Sequence, residues 1–387
     1  MDDNRLHVLI ADPHLQGGGQ VRYVSSLARE LTRLGHRITI ACRPGSVLVD
    51  AAARAGCGAL DVFSFRGGVR PVAWARDIRA AMGHIRGEKP DILHVNGSQD
   101  HWTLGLSNRL LGGASCVVRT RHNTYTVSDN APNRILNRHW TDYEIVVCEM
   151  VRRNLAQQPT FDPARLCTIH NGVDAELFRP DPESRARARA AFGFDDGHMV
   201  IGIVARLVEA KGHEFLFKAV SQLKNAHPEL RVLALGQGVL EAPLRELAAR
   251  LGIAEQVRFA GFRDDMAACV RAVDIGAQPS VDCDTSSFSL KEMMASEIPV
   301  VASDYGGLKE IVSDGVEGLV VRAGTVEPLA AALRRLIESP ESRARMGKAG
   351  RRRVLAEFTL EVFARRTEQA YRRAMGIHRQ RFGQFTG

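Results

Sequence analysis

The chain has 387 residues, 45% hydrophobic and 25% charged, with seven cysteines and a formal net charge of +8. That length suits two domains, each able to bury its own core, and the composition is that of a soluble globular protein. No run of about 18 apolar residues occurs, which excludes a membrane-spanning helix. The cysteines (Cys42, Cys57, Cys116, Cys148, Cys167, Cys269, Cys283) are scattered and lack a C-x-x-C pair. This pattern argues against a disulfide framework or a zinc site and for a reducing cytosol.

The basic excess admits two readings: attraction to anionic partners, or arginines spread over helix faces. No aromatic-interleaved basic stripe of the nucleic-acid kind appears, so nucleic acid is not an expected partner. The N-terminus runs from MDDNR directly into an apolar strand, and no signal peptide is expected.

Strands and helices alternate along the chain, which predicts parallel sheets with helices on both faces. Residues 7–12 (HVLIAD) read as a strand, and Gly17, Gly18 and Gly19 form a turn before a helix over 20–34 with Val21, Val24, Ala28 and Leu31 on one face. A strand over 37–42 follows. This is not a dinucleotide fingerprint: the G-x-G-x-x-G spacing fails, and Arg43 and Pro44 stand where an acid should end the second strand. Residues 63–89 mix Phe63, Phe65, Trp74, Met82 and Ile85 with six basic residues. Such a stretch can lie on an anionic membrane or pack its apolar side inward as an ordinary helix.

Further strands are expected over 92–95, 115–120, 144–148 and 166–169. Residues 171–182 (NGVDAELFRPDP) read as a linker. After it the alternation restarts. Strands are expected over 199–205, 231–235, 256–260, 275–278, 299–302 and 318–321, helices over 212–225, 241–251, 265–272 and 289–296, and a last helix around 359–375. Ligands of open α/β sheets bind at the carboxyl ends of strands, so the chemistry should lie in the loops there.

Three loops carry unusual residues. Gly17, Gly18 and Gly19 precede a helix whose free amides can meet an anion, although a tight turn also wants glycine. Arg206 ends a strand, and Lys211 stands five residues on, at the expected start of the next helix. Two cations there can hold a diphosphate and stabilise the charge that grows as a sugar–phosphate bond breaks; a solvated surface pair would show the same spacing. Asp284 and Glu292 are eight residues apart, one in a Ser/Thr-rich loop and one on the following helix. They can bind sugar and ribose hydroxyls, or be a cap and a solvated acid.

Residues 200–321 resemble the donor-binding domain of glycosyltransferase family 4. The resemblance rests on Arg206 and Lys211, Gly236-Gln237-Gly238, Gly261-Phe262-Arg263-Asp264, the acid-x7-Glu pair, and Gly306-Gly307 with Glu310. Asn171-Gly172-Val173-Asp174, Gly17-Gly18, Asp91-Ile92-Leu93-His94 and Arg119-Thr120-Arg121-His122 are similar as well.

The resemblance implies an α/β fold of GT-B type, with two doubly wound Rossmann-like domains facing across a cleft. Residues 1–175 would bind the acceptor and 176–358 a nucleotide-sugar, while 359–387 would form a helix and tail packing back on the first domain. It further implies that Arg206 and Lys211 hold the donor diphosphate, Glu292 the ribose, and backbone at Phe262 and Arg263 the base. Amides around Ser287, Phe288 and Ser289 would meet the distal phosphate, Gly17 and Gly18 would approach it from the other domain, and His122 would contact the donor sugar. The implied activity is transfer, with retention, from a UDP-, GDP- or ADP-sugar to a hydroxyl acceptor such as a lipid-linked glycan, lipopolysaccharide or other envelope polysaccharide. The implied place is the cytoplasm, peripheral on the inner face of the membrane. A nucleotide-sugar epimerase or hydrolase on the same scaffold is the alternative.

Two departures stand out. Asp284 replaces the family's usual Glu, about 1.5 Å shorter in reach, and Thr285 and Ser286 replace the glycine and aromatic that follow it. Asp282-Cys283-Asp284 also spells the D-x-D motif of a different glycosyltransferase fold. Because Arg206 and Lys211 supply positive charge, neither a metal nor another cofactor is expected.

Overall fold

β1 (His7–Ala11) is buried at every position, as an apolar run in the middle of a parallel sheet must be. It is followed by α1 (Gly19–Arg33), which turns Val21, Val24, Leu27, Ala28 and Leu31 inward. The structure, a computed structural model, describes residues 5–68 and 70–382. They form two compact units, one running to Gly172 and resuming at Leu360, the other Val173–Thr359.

The first unit continues through β2 (Arg37–Ala41), α2 (Val47–Ala55), β3 (Gly58–Leu60), α3 (Pro71–Glu88), β4 (Ile92–Val95), α4 (Ser98–Leu110) and β5 (Cys116–Arg121). Then come α5 (Ala131–Arg134), which runs into a π-helical turn (Ile135–Trp140), β6 (Tyr143–Val146), α6 (Glu149–Ala156) and β7 (Leu166–Thr168). The seven strands are ordered β3-β2-β1-β4-β5-β6-β7, and every pairing is parallel. The order reverses between β1 and β4, which opens a crevice at their carboxyl ends.

The second unit holds α7 (Pro182–Phe192), β8 (Met199–Val204), α8 (His213–Leu223), β9 (Leu230–Leu235), α9 (Glu241–Arg250), β10 (Val257–Gly261) and α10 (Met266–Arg271). After them come β11 (Ile275–Gln278), α11 (Phe288–Ala295), β12 (Val300–Ser303), α12 (Leu308–Ile311), β13 (Gly318–Val321), α13 (Val326–Glu338) and α14 (Pro340–Glu357). Its strand order, β10-β9-β8-β11-β12-β13, reverses between β8 and β11. Each unit is therefore doubly wound.

The last helix, α15 (Leu360–Phe382), belongs to the first unit. Its Tyr371 is fully buried and its hydroxyl lies 2.6 Å from His94 Nδ1. No helix among the described residues is long and apolar enough to cross a membrane.

Two readings become more definite, and one, the place of Lys211, needs correction. Residues 171–182, read as a linker, contain the change of unit between Gly172 and Val173 and are well packed: Val173 and Phe178 are buried, and the Val173 amide donates to Phe358 O at 2.8 Å. Lys211 does not start a helix. It closes a single 3₁₀ turn, Glu209–Lys211, and α8 begins two residues later, past left-handed Gly212. Phe63 and Phe65 stack at 4.7 Å inside the first core, with Ile85 also buried, so these apolar members of the 63–89 stretch serve the interior.

Candidate functional site

At the switch point of the second unit, Arg206 follows β8. Its side chain is exposed and makes no hydrogen bond or ion pair among the described residues. Lys211 is different. Its Nζ lies 3.0 Å from Asp284 Oδ2 and 3.3 Å from the Cys283 carbonyl, with the side chain only 15% exposed. The turn that carries it rests directly on the next loop: a Cβ on Gly212 would stand 2.0 Å from the Pro279 carbonyl. Only a residue without a side chain permits that approach.

Asp284 is 4% exposed, and its Oδ2 also accepts from Ser280 Oγ at 2.7 Å and Gln278 Nε2 at 2.9 Å. Three donors on one oxygen make Asp284 an anchor for Lys211. Gln278 ends β11 and reaches the other way too, its Oε1 accepting from Ser289 Oγ at 3.1 Å. Ser289 lies in the first turn of α11, capped by Ser287 Oγ on the Leu290 amide. One hydrogen-bonded chain thus links Lys211, Asp284, Gln278 and Ser289 to the amides at the start of α11, and the helix dipole makes that end electropositive.

Glu292 lies one turn further on and is 1% exposed. Phe262 is exposed, and the Arg263 side chain is taken by Asp265 at 2.7 and 2.8 Å, which leaves backbone as what this loop can offer a ligand. In the D-x-D run, Asp282 Oδ1 accepts from Tyr305 at 2.7 Å while Asp284 faces Lys211, so the two carboxylates serve different partners. Cys283 between them sits at φ 49, the left-handed region that a non-glycine residue adopts at a cost of about 1–3 kcal/mol.

The first unit has its own polar cluster at the β1/β4 switch point. Buried Asp12 directly follows β1; its Oδ1 accepts from the His14 backbone at 2.8 Å and pairs with His14 Nδ1 at 2.9 Å, and its Oδ2 accepts from Gln20 Nε2 at 2.6 Å. One carboxylate therefore holds both ends of the loop containing Gly17 and Gly18. The hydrogen bond to Asp12 raises the His14 pKa above its ordinary 6.5. A raised folded-state value means the pair stabilises fully below about pH 6.5 and fades as pH climbs through the folded value. His14→Ala should accordingly lower Tm more at pH 6 than at pH 9, checked by thermal melts of both proteins across that range.

His122 follows β5, and its Nε2 lies 2.9 Å from Asn96 Oδ1. Asn96 Nδ2 donates to Ala11 O at 3.1 Å, which fixes the amide so that Oδ1 faces the ring. Nε2 must then carry the proton, leaving Nδ1 as the acceptor nitrogen. Burial, then the nearby Arg119 charge, holds the His122 pKa well below its usual 6.5, so the ring is neutral at physiological pH. Asn96→Asp would place a carboxylate on Nε2 and favour imidazolium. The rate of that variant should fall on acidification through a titration that the parent lacks between pH 6 and 9, as a pH–rate profile would register.

The structure places Arg206, Lys211, Asp284, Ser287, Ser289 and Glu292 in the segments that follow β8 and β11 at the switch point, with Phe262 after β10, two strands from β8; Gly17, Gly18 and His122 lie in the first unit. Sequence reasoning missed Gln278, Ser280, Asn96 and Asp12. Each follows a strand or ends one, and that position is the signal that could have found them. Another cluster, Cys116, Asp142 and His378, has potential ligand atoms within 4.8 Å of one another. Its carboxylate is occupied by the Val117 amide, His378 and Arg381, contacts that dock α15.

Comparison with known proteins fits this geometry. The family model for group 1 glycosyl transferases matches residues 184–353, and that for glycosyltransferase family 4 matches residues 17–177. The chain is a family 4 glycosyltransferase by descent. A GDP-mannose-dependent monoacylated α-(1-6)-phosphatidylinositol monomannoside mannosyltransferase of Corynebacterium glutamicum is 35% identical over 217 residues, 54% of this chain and 55% of that protein. A D-inositol 3-phosphate glycosyltransferase of Mycobacterium marinum is 37% identical over 226 residues, 56% of this chain and 46% of that protein. The chain spans about half the length of the curated relatives it matches.

Among solved structures, a glycosyltransferase from Rickettsia africae superposes with a TM-score of 0.86 at 20% identity, covering 96% of this chain and 99% of its own. Anabaena HepE in complex with UDP gives 0.82 at 19% identity, covering 95% and 100%. The fold of this family 4 chain is therefore GT-B. Within it, the matched group 1 segment contains Arg206, Lys211, Asp284 and Glu292, and the other contains Gly17, Gly18 and His122.

Proposed function

We propose that this chain transfers a sugar from a nucleoside diphosphate donor to a hydroxyl acceptor, with retention at the anomeric carbon. The carrying observation is the pair of cations after β8: an exposed Arg206 whose side chain has no partner among the described residues, and a Lys211 held by Asp284 near the start of α11. Arg206 binds the diphosphate as a planar fork and Lys211 as a point charge. Glu292 accepts hydrogen bonds from the ribose, and backbone at Phe262 and Arg263 borders the base.

The C1–O bond to the diphosphate breaks first, and Arg206, Lys211 and the α11 amides meet the charge that appears on the leaving oxygen. The acceptor oxygen then bonds to C1 on the same face, and its proton passes to that diphosphate oxygen. Neutral His122 offers Nδ1 to a donor-sugar hydroxyl. A dedicated carboxylate nucleophile is not required: Asp284 Oδ2 is already committed to three donors. That the Anabaena relative was solved with UDP supports a nucleotide donor for this chain.

The test is a melting screen with UDP, GDP and ADP. At a hundred times Kd the bound nucleotide should raise Tm by about 5–10 °C, and Arg206→Ala should remove most of that rise. No shift with any nucleotide would defeat the proposal.

A further inference from the structure

Arg119 is 7% exposed at the end of β5, and nothing assigned above uses it. Its Nη1 donates to the Gly97 carbonyl, its Nε is buried without a partner, and it forms no ion pair among the described residues. The neighbouring charges are committed elsewhere. Arg121 is paired with Glu144, and Asp12 holds His14 and Gln20. Asp100 Oδ2 accepts from the Asn96 and Gly97 amides, and burial raises that carboxyl above its ordinary value against the opposing pull of the Arg119 charge.

Arg119 lines a cavity of about 260 Å³ wholly within the first unit, together with Asn96, Trp102, His122, Asn133 and Asn137. The π-helical turn (Ile135–Trp140) presents Asn137 to it, and such turns recur at functional sites. Two arginines line this cavity, and no carboxylate does. Amides, an indole and imidazoles suit a polyhydroxylated ligand, since amides and hydroxyls match in donors and acceptors. Asp100, Glu144 and Asp12 favour the charged guanidinium from nearby, yet none forms an ion pair with it; a buried charge without a directly bonded counter-ion is costly unless an anion completes it, and guanidinium fits phosphate in a bidentate way.

We infer that this cavity binds the acceptor, and that the acceptor is a polyol or sugar bearing a phosphate that Arg119 takes. This rests on the glycosyltransferase reading and narrows its acceptor to an anionic class. The phosphate could belong to a soluble sugar phosphate or to a lipid headgroup; the chemistry recognised is the same.

The experiment uses the full chain saturated with whichever nucleoside diphosphate the melting screen selects, so that added phosphate cannot occupy the donor half-site. Calorimetry should show glucose 6-phosphate binding at least about tenfold more tightly than glucose, with inorganic phosphate competing. Arg119→Gln, which can still donate to Gly97 O, should abolish the difference while leaving nucleotide binding and Tm nearly unchanged; Arg119→Lys should restore part of it. Competition by glucose 6-phosphate without sedimentation on phosphatidylcholine–phosphatidylglycerol vesicles assigns a soluble acceptor, and Arg119-dependent sedimentation assigns a lipid headgroup. Equal affinity for glucose and glucose 6-phosphate, no binding of any phosphate probe, or an undiminished preference in Arg119→Gln overturns the inference. Should nucleotide binding survive while the phosphate preference is absent, this proposal alone has failed; if no nucleotide binds, the donor reading has failed instead.

Discussion

Lys211→Ala should reduce kcat by about 10²–10³-fold while weakening nucleoside diphosphate binding by less than about tenfold. On the proposed mechanism the asymmetry follows from timing: the diphosphate would carry most of its charge in the ground state, where Arg206 and helix amides would also hold it, whereas the charge Lys211 would meet grows as the C1–O bond breaks. The structure adds a condition on Asp284. If the carboxylate works by aiming the ammonium across their 3.0 Å contact, then Asp284→Asn should be costly alone and nearly silent once Lys211 is gone. Lys211→Arg should not restore the rate, because a planar guanidinium cannot reproduce a point charge in a part-buried slot. Steady-state kcat and nucleotide Kd for the two single variants and the double decide this. Additive losses would mean that Asp284 contacts substrate on its own account.

Gly212→Ala should destabilise the second unit by about 3 kcal/mol or more, a fall in Tm of about 6–12 °C for a domain of this size. Two terms combine. The residue sits at φ 70, and its new Cβ would have to move the Pro279 carbonyl 2.0 Å away. Moving that carbonyl shifts the loop that carries Asp284, so the rate should drop along with the melting temperature. Gly193→Ala is the control: its φ is 77 but nothing stands within 4 Å of the added carbon. It carries the backbone term alone, about 1 kcal/mol. Equal melting temperatures for the two variants would show that the close approach at Gly212 is easily relaxed.

Much of the fold was legible because buried parallel strands read as unbroken apolar runs: HVLIA at β1 and MVIGIV at β8 need no partner to be recognised. α2 and α3 were not assigned: the first is short and alanine-rich, and the second was read chiefly for its mixture of charge and aromatics. The two cations were legible because they fall just after a strand. Their anchoring was not. Asp284 meets Lys211 from 73 residues further along, itself held by Gln278 and Ser280, and strand order alone brings β11 beside β8. The same holds for Asn96 and His122, joined because β4 and β5 pair with Val95 opposite Arg119. Side-chain partners across parallel strands lie a whole β–α–β crossover apart, and no local pattern encodes which will face which.

The first unit is stitched from two stretches of chain on either side of the second, since Tyr371, His378 and Arg381 of α15 close over His94 and Asp142. On the ribosome, residues 5–172 emerge before the second unit, yet the contact between His94 and Tyr371 can form only once α15 has followed that unit out of the tunnel. The first unit is thus completed after the second has been made, and until α15 arrives it must survive with an uncovered flank.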